Sequence, residues 1–225
     1  MAEGKSTLAV LGATGALGNA LAGRWAIAGY PVIIGSRKAD RATASAAEMC
    51  SARPGVDVRG MDNLAASEAA DIVVLTVPFA HQTPTLEDLR DACSGKLFID
   101  TTVPLIPPKV GTVQMPPEGC AAVIAQQILG ESVRVCSAFH NVAADKLAAD
   151  GDVGCDVLVF GDKLKDRDAV ISLVRATGLR GIHGGPLANS AAAEALTSVL
   201  IGINRRYKVP GSGIVITGEL HEPGD

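Results

Sequence analysis

An α/β fold on a doubly wound, mainly parallel sheet is predicted by three features of this 225-residue sequence. Short β-branched runs alternate with alanine- and leucine-rich stretches of helical length, the pattern of strands joined by right-handed crossover helices. The composition is 48% hydrophobic but only 3% aromatic, with 25 glycines, which suits small aliphatic side chains packing helices onto a buried sheet. The first strand ends in a glycine-rich turn that opens directly into a helix.

That strand covers residues 7–11 and stops at Gly12-Ala13-Thr14-Gly15-Ala16-Leu17-Gly18. Glycines spaced by three do separate jobs at such a junction: a tight turn, backbone approach to a pyrophosphate, and close packing of helix on strand. The helix behind them aims free N–H groups and the positive end of its dipole at an anion. Glycine also serves ligandless turns that need positive φ; the flanking strand and helix favour a Rossmann-type dinucleotide site. The helix over 17–28 ends at Gly29, with Tyr30-Pro31 behind it. A buried strand at 31–35 follows, and in such folds its end meets the adenosine ribose. NAD sites place an acid there; this chain has Ser36-Arg37-Lys38, with Arg41 a helical turn later. A carboxylate would repel a 2′-phosphate, whereas a hydroxyl and guanidinium forks bind it. NADP is therefore the expected nucleotide, a solvated helix start being the alternative reading of the cations. Asp40 lies past the strand end, where it can cap the next helix.

That helix spans 40–52, followed by a third strand at 56–59 and a short helix at 63–70 capped by Asp62. Residues 71–78 form a strongly β-branched strand closed by Pro78. An amphipathic helix at 85–93 and a strand at 96–100 keep the alternation. Residues 101–118 break it with five prolines and predict a long irregular loop at the carboxyl end of the fifth strand. Such a loop either covers a ligand or makes a solvent excursion. A helix at 121–129 leads to a sixth strand at 133–136, which ends in Ser137-Ala138-Phe139-His140-Asn141. A helix at 143–149, a strand at 156–160, a helix at 167–177 and a strand at 180–183 follow. The helix at 191–205 is apolar around most of its girth, through Ala195, Leu196, Val199, Leu200, Ile201 and Ile203. That predicts burial on several sides and a homodimer. The tail at 211–217 reads as a closing strand.

The formal charge of −4 argues against nucleic acid as a partner, because binding a phosphate backbone needs a basic field. No apolar run reaches the ~20 residues of a bilayer span, and no charged-then-apolar leader precedes the first strand. Five scattered cysteines without a CxxC pair predict reduced, mostly buried thiols in a cytoplasmic protein, with no metal site.

With these segments in place, the chain resembles the NADPH-dependent F420 reductases, or F420H2:NADP oxidoreductases, nearly end to end. The glycine loop and Gly35-Ser36-Arg37 would fit many NADP proteins. The run Ile72–His81, the tail Gly213-Ile214-Val215-Ile216 and above all the pair Ser137-Ala138-Phe139-His140 and Gly185-Pro186-Leu187-Ala188-Asn189-Ser190 narrow it to this family. The resemblance implies an NADP-binding Rossmann domain over 1–145 and a small C-terminal α/β domain over 146–225, the latter contributing to an acceptor pocket and a dimer interface. It implies hydride transfer between NADPH and the deazaflavin F420. It assigns Gly12, Thr14, Gly15, Ala16 and Leu17 to the phosphates, and Ser36, Arg37 and Arg41 to the 2′-phosphate. Phe79, Thr83, Leu105 and Ala144 would lie along the nicotinamide, with Val77 and Pro78 also among the cofactor-binding residues. His140, Asn141 and Val142 would border its stack with the deazaflavin, near Gly185, Pro186 and Leu187. Two departures stand out: Phe79 where tryptophan is familiar, and Pro116-Pro117-Glu118-Gly119-Cys120 in place of a serine-rich stretch.

Hydride transfer between two ring systems needs positioning and dryness more than acid–base groups, so no catalytic triad is expected. His140 is the candidate for orienting the acceptor, against the alternative of a strand-end histidine satisfied by backbone. Arg205, Arg206 and Lys208 either attract the acidic tail of F420 or simply complement a helix C-terminus. A pterin, flavin or cyclic imine acceptor, or a non-catalytic NADP sensor, are the competing functions.

Overall fold

The computed structural model describes residues 4–149 and 151–221. Its strands are β1 (Leu8–Leu11), β2 (Val32–Ser36), β3 (Val58–Asp62), β4 (Ile72–Leu75), β5 (Leu97–Asp100), β6 (Arg134–Ser137), β7 (Asp156–Gly161) and β8 (Arg180–Gly185). The helices are α1 (Ala16–Ile27), α2 (Ala39–Ala52), α3 (Asn63–Ala69), α4 (Gln82–Leu89), α5 (Ala121–Leu129), α6 (Ala144–Ala148), α7 (Leu164–Ala176) and α8 (Ser190–Tyr207).

All eight strands join in one sheet, in the order β3-β2-β1-β4-β5-β6-β7-β8. From β3 to β6 the pairing is parallel, with the order reversal between β1 and β4 that defines a doubly wound sheet. Successive side chains of a strand face opposite layers, and β1 shows why it reads as an unbroken apolar run. Leu8 and Val10 pack with Leu21, Trp25 and Met49 of α1 and α2. Ala9 and Leu11 pack with Leu86 and Leu89 of α4 on the other face.

The two units expected over 1–145 and 146–225 share this sheet. β7 pairs antiparallel to β6, and only through Cys136↔Gly161 and Ser137↔Phe160. These are the last residues of both strands, so β7 from Asp156 to Val159 runs past the carboxyl edge of β6, by about 13 Å at ~3.3 Å per residue. β8 pairs parallel to β7 and extends that wall. Two side chains of α1 span the thin seam. Trp25 donates its indole N–H to Leu173 O of α7 at 2.9 Å and meets Phe139 edge-to-face at 5.9 Å. Arg24 donates to Leu147 O at 2.7 Å, Thr177 O at 2.8 Å and Ala149 O at 2.9 Å.

Four sequence expectations are corrected. Asp40 does not cap α2: Lys38 holds that position and Asp40 sits in the first turn. Helix α4 starts three residues early, because Phe79–His81 already winds as a 3-10 turn and Pro84 falls in the first turn, where a missing N–H is tolerated. The tail at 211–217 is not a strand. Gly211 and Gly213 lie so close to Ala143 and Cys155 that a Cβ would meet their Cβ atoms at 2.5 Å. The tail is held by one backbone bond, Asp156 N to Ile214 O at 2.7 Å, and by the Asp156–Arg180 pair. Arg180 bonds both Asp156 oxygens, at 2.7 and 2.6 Å, and holds that carboxyl below its usual range. Helix α8 buries a polar face (Ser190, Glu194, Ser198) and leaves Val199, Ile203 and Tyr207 46%, 37% and 72% exposed in the single chain.

Candidate functional site

A cavity of about 980 Å³ opens where the sheet reverses, between the carboxyl ends of β1 and β4. Its floor is the glycine turn. Gly12 has φ +81, and a Cβ there would strike Val77 Cγ1 at 2.9 Å. At Gly18 a Cβ would sit 2.3 Å from Thr76 Oγ1 and 2.7 Å from Ala13 Cα, so the start of α1 packs against strand-end backbone only because both positions are glycine. Gly15 caps α1 without a side-chain partner, which leaves the first N–H groups of the helix turned to the cavity.

At the end of the cavity beside β2 lie Ser36, Arg37, Lys38 and Arg41, three exposed cations and a hydroxyl. No carboxylate is in the lining. Asp62, at the end of β3 beside Ser36, is spent on α3, where it accepts from Ala65 N at 3.0 Å. A phosphodianion fits this cradle and a ribose diol alone would leave its charge unmatched.

At the other end, threonines follow two strands in the same way. Thr76 returns both its N–H (2.9 Å) and its hydroxyl (2.8 Å) to Leu11 O, and Thr101 does the same to Leu75 O at 3.1 and 2.9 Å. These ties lock adjacent strand ends under the cavity. Thr102 Oγ1 and Asn63 Oδ1, both in the lining, are buried without a hydrogen-bond partner. Buried orphans of this kind mark polar positions that a ligand satisfies, so the residues fit a dinucleotide along the whole cavity. The proline loop after β5 lines it through Val103 and Leu105, and at Gly111 comes within 3.6 Å of Arg205 at the end of α8, measured from an added Cβ.

One strand further over, Phe139 takes φ 68, a left-handed conformation rare for an aromatic residue, held by its packing on Trp25. That turn sends His140 back into the protein. His140 is 6% exposed, against the Phe160 ring, with Nε2 3.4 Å from Ser190 Oγ. Burial pushes its pKa down to about 3, so the ring is neutral. Ser190 accepts from Ser137 Oγ at 2.7 Å and donates to Glu194 Oε1 at 2.9 Å. Glu194 also accepts from Ala121 N and Ala122 N at the start of α5, at 2.7 and 3.2 Å. Asp100 lies beside it, held by Gln82 Nε2 at 2.6 Å and Thr102 N at 2.9 Å.

Comparison with known proteins carries the fold and cavity to a family. The model of NADP oxidoreductases dependent on coenzyme F420 matches residues 7–104. An F420-dependent NADP reductase of Methanocaldococcus jannaschii is 38% identical over 220 residues, 93% of this chain and 97% of the relative. That of Methanothermobacter thermautotrophicus is 38% identical over 218 residues, 93% and 94% of the two chains. The chain belongs to the F420-dependent NADP reductase family. A crystal structure titled as a putative F420-dependent NADP-reductase from Arthrobacter superposes with TM-score 0.78 at 22% identity, covering 95% of this chain and all of that one. An imine reductase from Myxococcus stipitatus shares the fold more loosely, with TM-score 0.65 at 19% identity over 91% of this chain and 62% of that one.

Of the residues expected at the site of this reductase family member, Gly12, Thr14, Gly15, Ala16, Leu17, Ser36, Arg37, Arg41, Val77, Pro78, Phe79 and Leu105 line the cavity. Thr83, His140, Val142 and Ala144 are outside its lining, and Thr83 is exposed on α4 while Thr85 faces inward. The sequence reading missed Asn63, Thr76, Thr101 and Thr102. A threonine directly after each of two adjacent strands was the available signal. It also missed Glu194, the one charged residue in the stretch 191–203.

Proposed function

We propose that this chain transfers a hydride between NADPH and F420. The observation that carries it is the carboxylate-free, three-cation cradle at the β1–β4 crevice, within a chain related over 93% of its length to F420-dependent NADP reductases. NADPH supplies the hydride from its dihydronicotinamide ring. The chain's own work is to bind, orient and keep dry. Free N–H groups at the start of α1 hold the pyrophosphate. Ser36, Arg37 and Arg41 hold the 2′-phosphate. Val77, Pro78, Phe79, Val103 and Leu105 shape the nicotinamide end, where ring carbons must come within ~3–3.5 Å of each other. Residues 138–145 and the wall of β7 and β8, with Gly185, Pro186 and Leu187 at its foot, form the acceptor side. The net charge of −4, the five free thiols and the lack of a membrane-crossing helix among the described residues support small-molecule partners in a cytoplasmic enzyme.

Val199, Ile203 and Tyr207 stand one turn apart on the exposed side of α8, and we assign this stripe to a homodimer. NADPH oxidation followed in parallel with F420, FMN and a dihydropterin tests the activity. Turnover with F420 is expected; turnover with another acceptor alone, or tight NADPH binding without turnover, overturns it.

A further inference from the structure

Reduction of a deazaflavin by a hydride also consumes one proton, and the titratable groups lining the NADP cavity, His81 among them, are exposed to solvent. The hydrogen bonds around Ser190 show a path. A serine hydroxyl has one hydrogen and two lone pairs. Ser190 gives its hydrogen to Glu194 and receives one from Ser137, so its remaining lone pair accepts from His140 Nε2. That fixes His140 as the Nε2–H tautomer while Glu194 is ionised. When Glu194 carries a proton, its O–H turns to Ser190, Ser190 turns to His140 Nε2, and the imidazole hydrogen moves to Nδ1. The state of one buried carboxyl thus sets which nitrogen of the histidine is protonated.

We propose that Glu194, through Ser190, is the proton source for acceptor reduction, with His140 as the last member of the relay. The inference rests on the hydride-transfer function given above. In the step, the Glu194 O–H bond breaks as Ser190 Oγ takes that proton, Ser190 passes its own to His140 Nε2, and the Nδ1 proton leaves for the nitrogen–carbonyl edge of the acceptor ring. The electron pair arrives with the hydride from NADPH. Glu194 ends as a carboxylate, Ser190 and His140 end neutral, and bulk water reloads the acid after turnover. Oxidation of the reduced deazaflavin runs the same path backwards.

Three observations place the relay. His140 leaves the carboxyl edge of β6, the strand beside β5, and Ala138 N bonds Asp100 O at 3.2 Å, next to cavity residues Thr101 and Thr102. Glu194 is 1% exposed, yet no lysine or arginine faces it among the described residues. The titratable groups against it are Asp100 from β5 and Cys120 before α5, with His140 after β6 reached through Ser190, while α5 itself offers only backbone N–H groups. Burial, with the neighbouring Asp100 adding to it, lifts the Glu194 carboxyl to about 7, so it exchanges protons near neutrality instead of staying ionised.

Single-turnover reduction of F420 by NADPH, measured across pH in H2O and D2O, tests this on the wild type, Glu194→Gln and Ser190→Ala. The wild-type rate is expected to fall as pH rises through about 7 and to be slower in D2O. Both variants should lose the pH limb and the solvent isotope effect and run about a hundredfold slower at pH 6, with NADPH affinity unchanged. Ser190→Ala leaves Glu194 on the start of α5, so it remains informative where Glu194→Gln folds poorly. A folded variant of either kind that keeps the wild-type pH profile and isotope effect overturns the relay. A wild type inactive with F420 overturns the hydride-transfer function, and the relay with it.

Discussion

The proposed role of Arg37 is to separate two nucleotides that differ by one phosphate. It lies exposed at the end of β2 in a lining without carboxylates, so replacing it removes a charge-assisted contact that only the 2′-phosphate can use. Arg37→Ala should weaken NADPH binding roughly 10- to 100-fold and NADH binding hardly at all; equal losses in a titration of both would refute the assignment. Glu194 and His140 make opposite demands on stability. Glu194 is raised from 4.5 to about 7 on folding, so its contribution is full below 4.5 and lost as pH rises through 7. His140 is lowered from 6.5 to about 3, so its contribution is full above 6.5 and lost as pH falls through 3. Thermal unfolding of the wild type should therefore change little from pH 5 to 6.5, where the two oppose each other, whereas Glu194→Gln should grow more stable as pH rises over that range. The glycines and arginines that line the cavity were legible at this scale because their spacing is local. Glu194 was not, since its role depends on Ser190, Ser137 and the start of α5 meeting across the fold.

Among the elements, α1 does two jobs with two faces. Its amino end presents N–H groups to the cavity, and its carboxyl half holds α7 and residues 147–149 through Trp25 and Arg24. Trp25 is fully buried, and Trp25→Ala should cost about 3–5 kcal/mol, lowering the unfolding midpoint by roughly 6–20 °C. Gly18→Ala is a smaller change with a sharper target. Its Cβ would meet backbone at Ala13 Cα at 2.7 Å, so α1 must lift off the strand ends. We expect ~1–3 kcal/mol of destabilisation together with weaker NADP binding, read by calorimetry. Strand and helix identity followed from periodicity for these central elements. The tail at 211–217 defeated it, because the β-branched run Ile214-Val215-Ile216 mimics a strand while Gly211 and Gly213 serve close packing on Ala143 and Cys155. Helix α8 misled for a related reason: its apolar residues outnumber its polar ones, but Ser190, Glu194 and Ser198 face inward while Val199 and Ile203 face out.

For the whole molecule, the stripe on α8 predicts the assembly state. Sedimentation of the wild type should give a dimer, and Val199→Asp with Ile203→Asp should give a monomer that keeps NADP binding; an unchanged dimer would place the interface elsewhere. The doubly wound order was legible because alternating strands and helices leave few topologies. The reversal at β7 was not, since direction within a sheet has no signature in a six-residue strand.

That reversal also bears on how the molecule opens in time. Two rungs join β6 to β7, where β1 has four to each neighbour, so transient openings that expose amides should start there. Trp25 and Arg24 of α1 bridge the breach, beside the Arg134–Asp166 pair at 2.6 Å, and the other end of α1 lines the nucleotide cavity. NADP bound there would steady β7, which lies outside the cavity lining. Amide protons of Val157 and Val159 should exchange more slowly with deuterium once NADP is added, and the acceptor's wall would be set before the acceptor arrives.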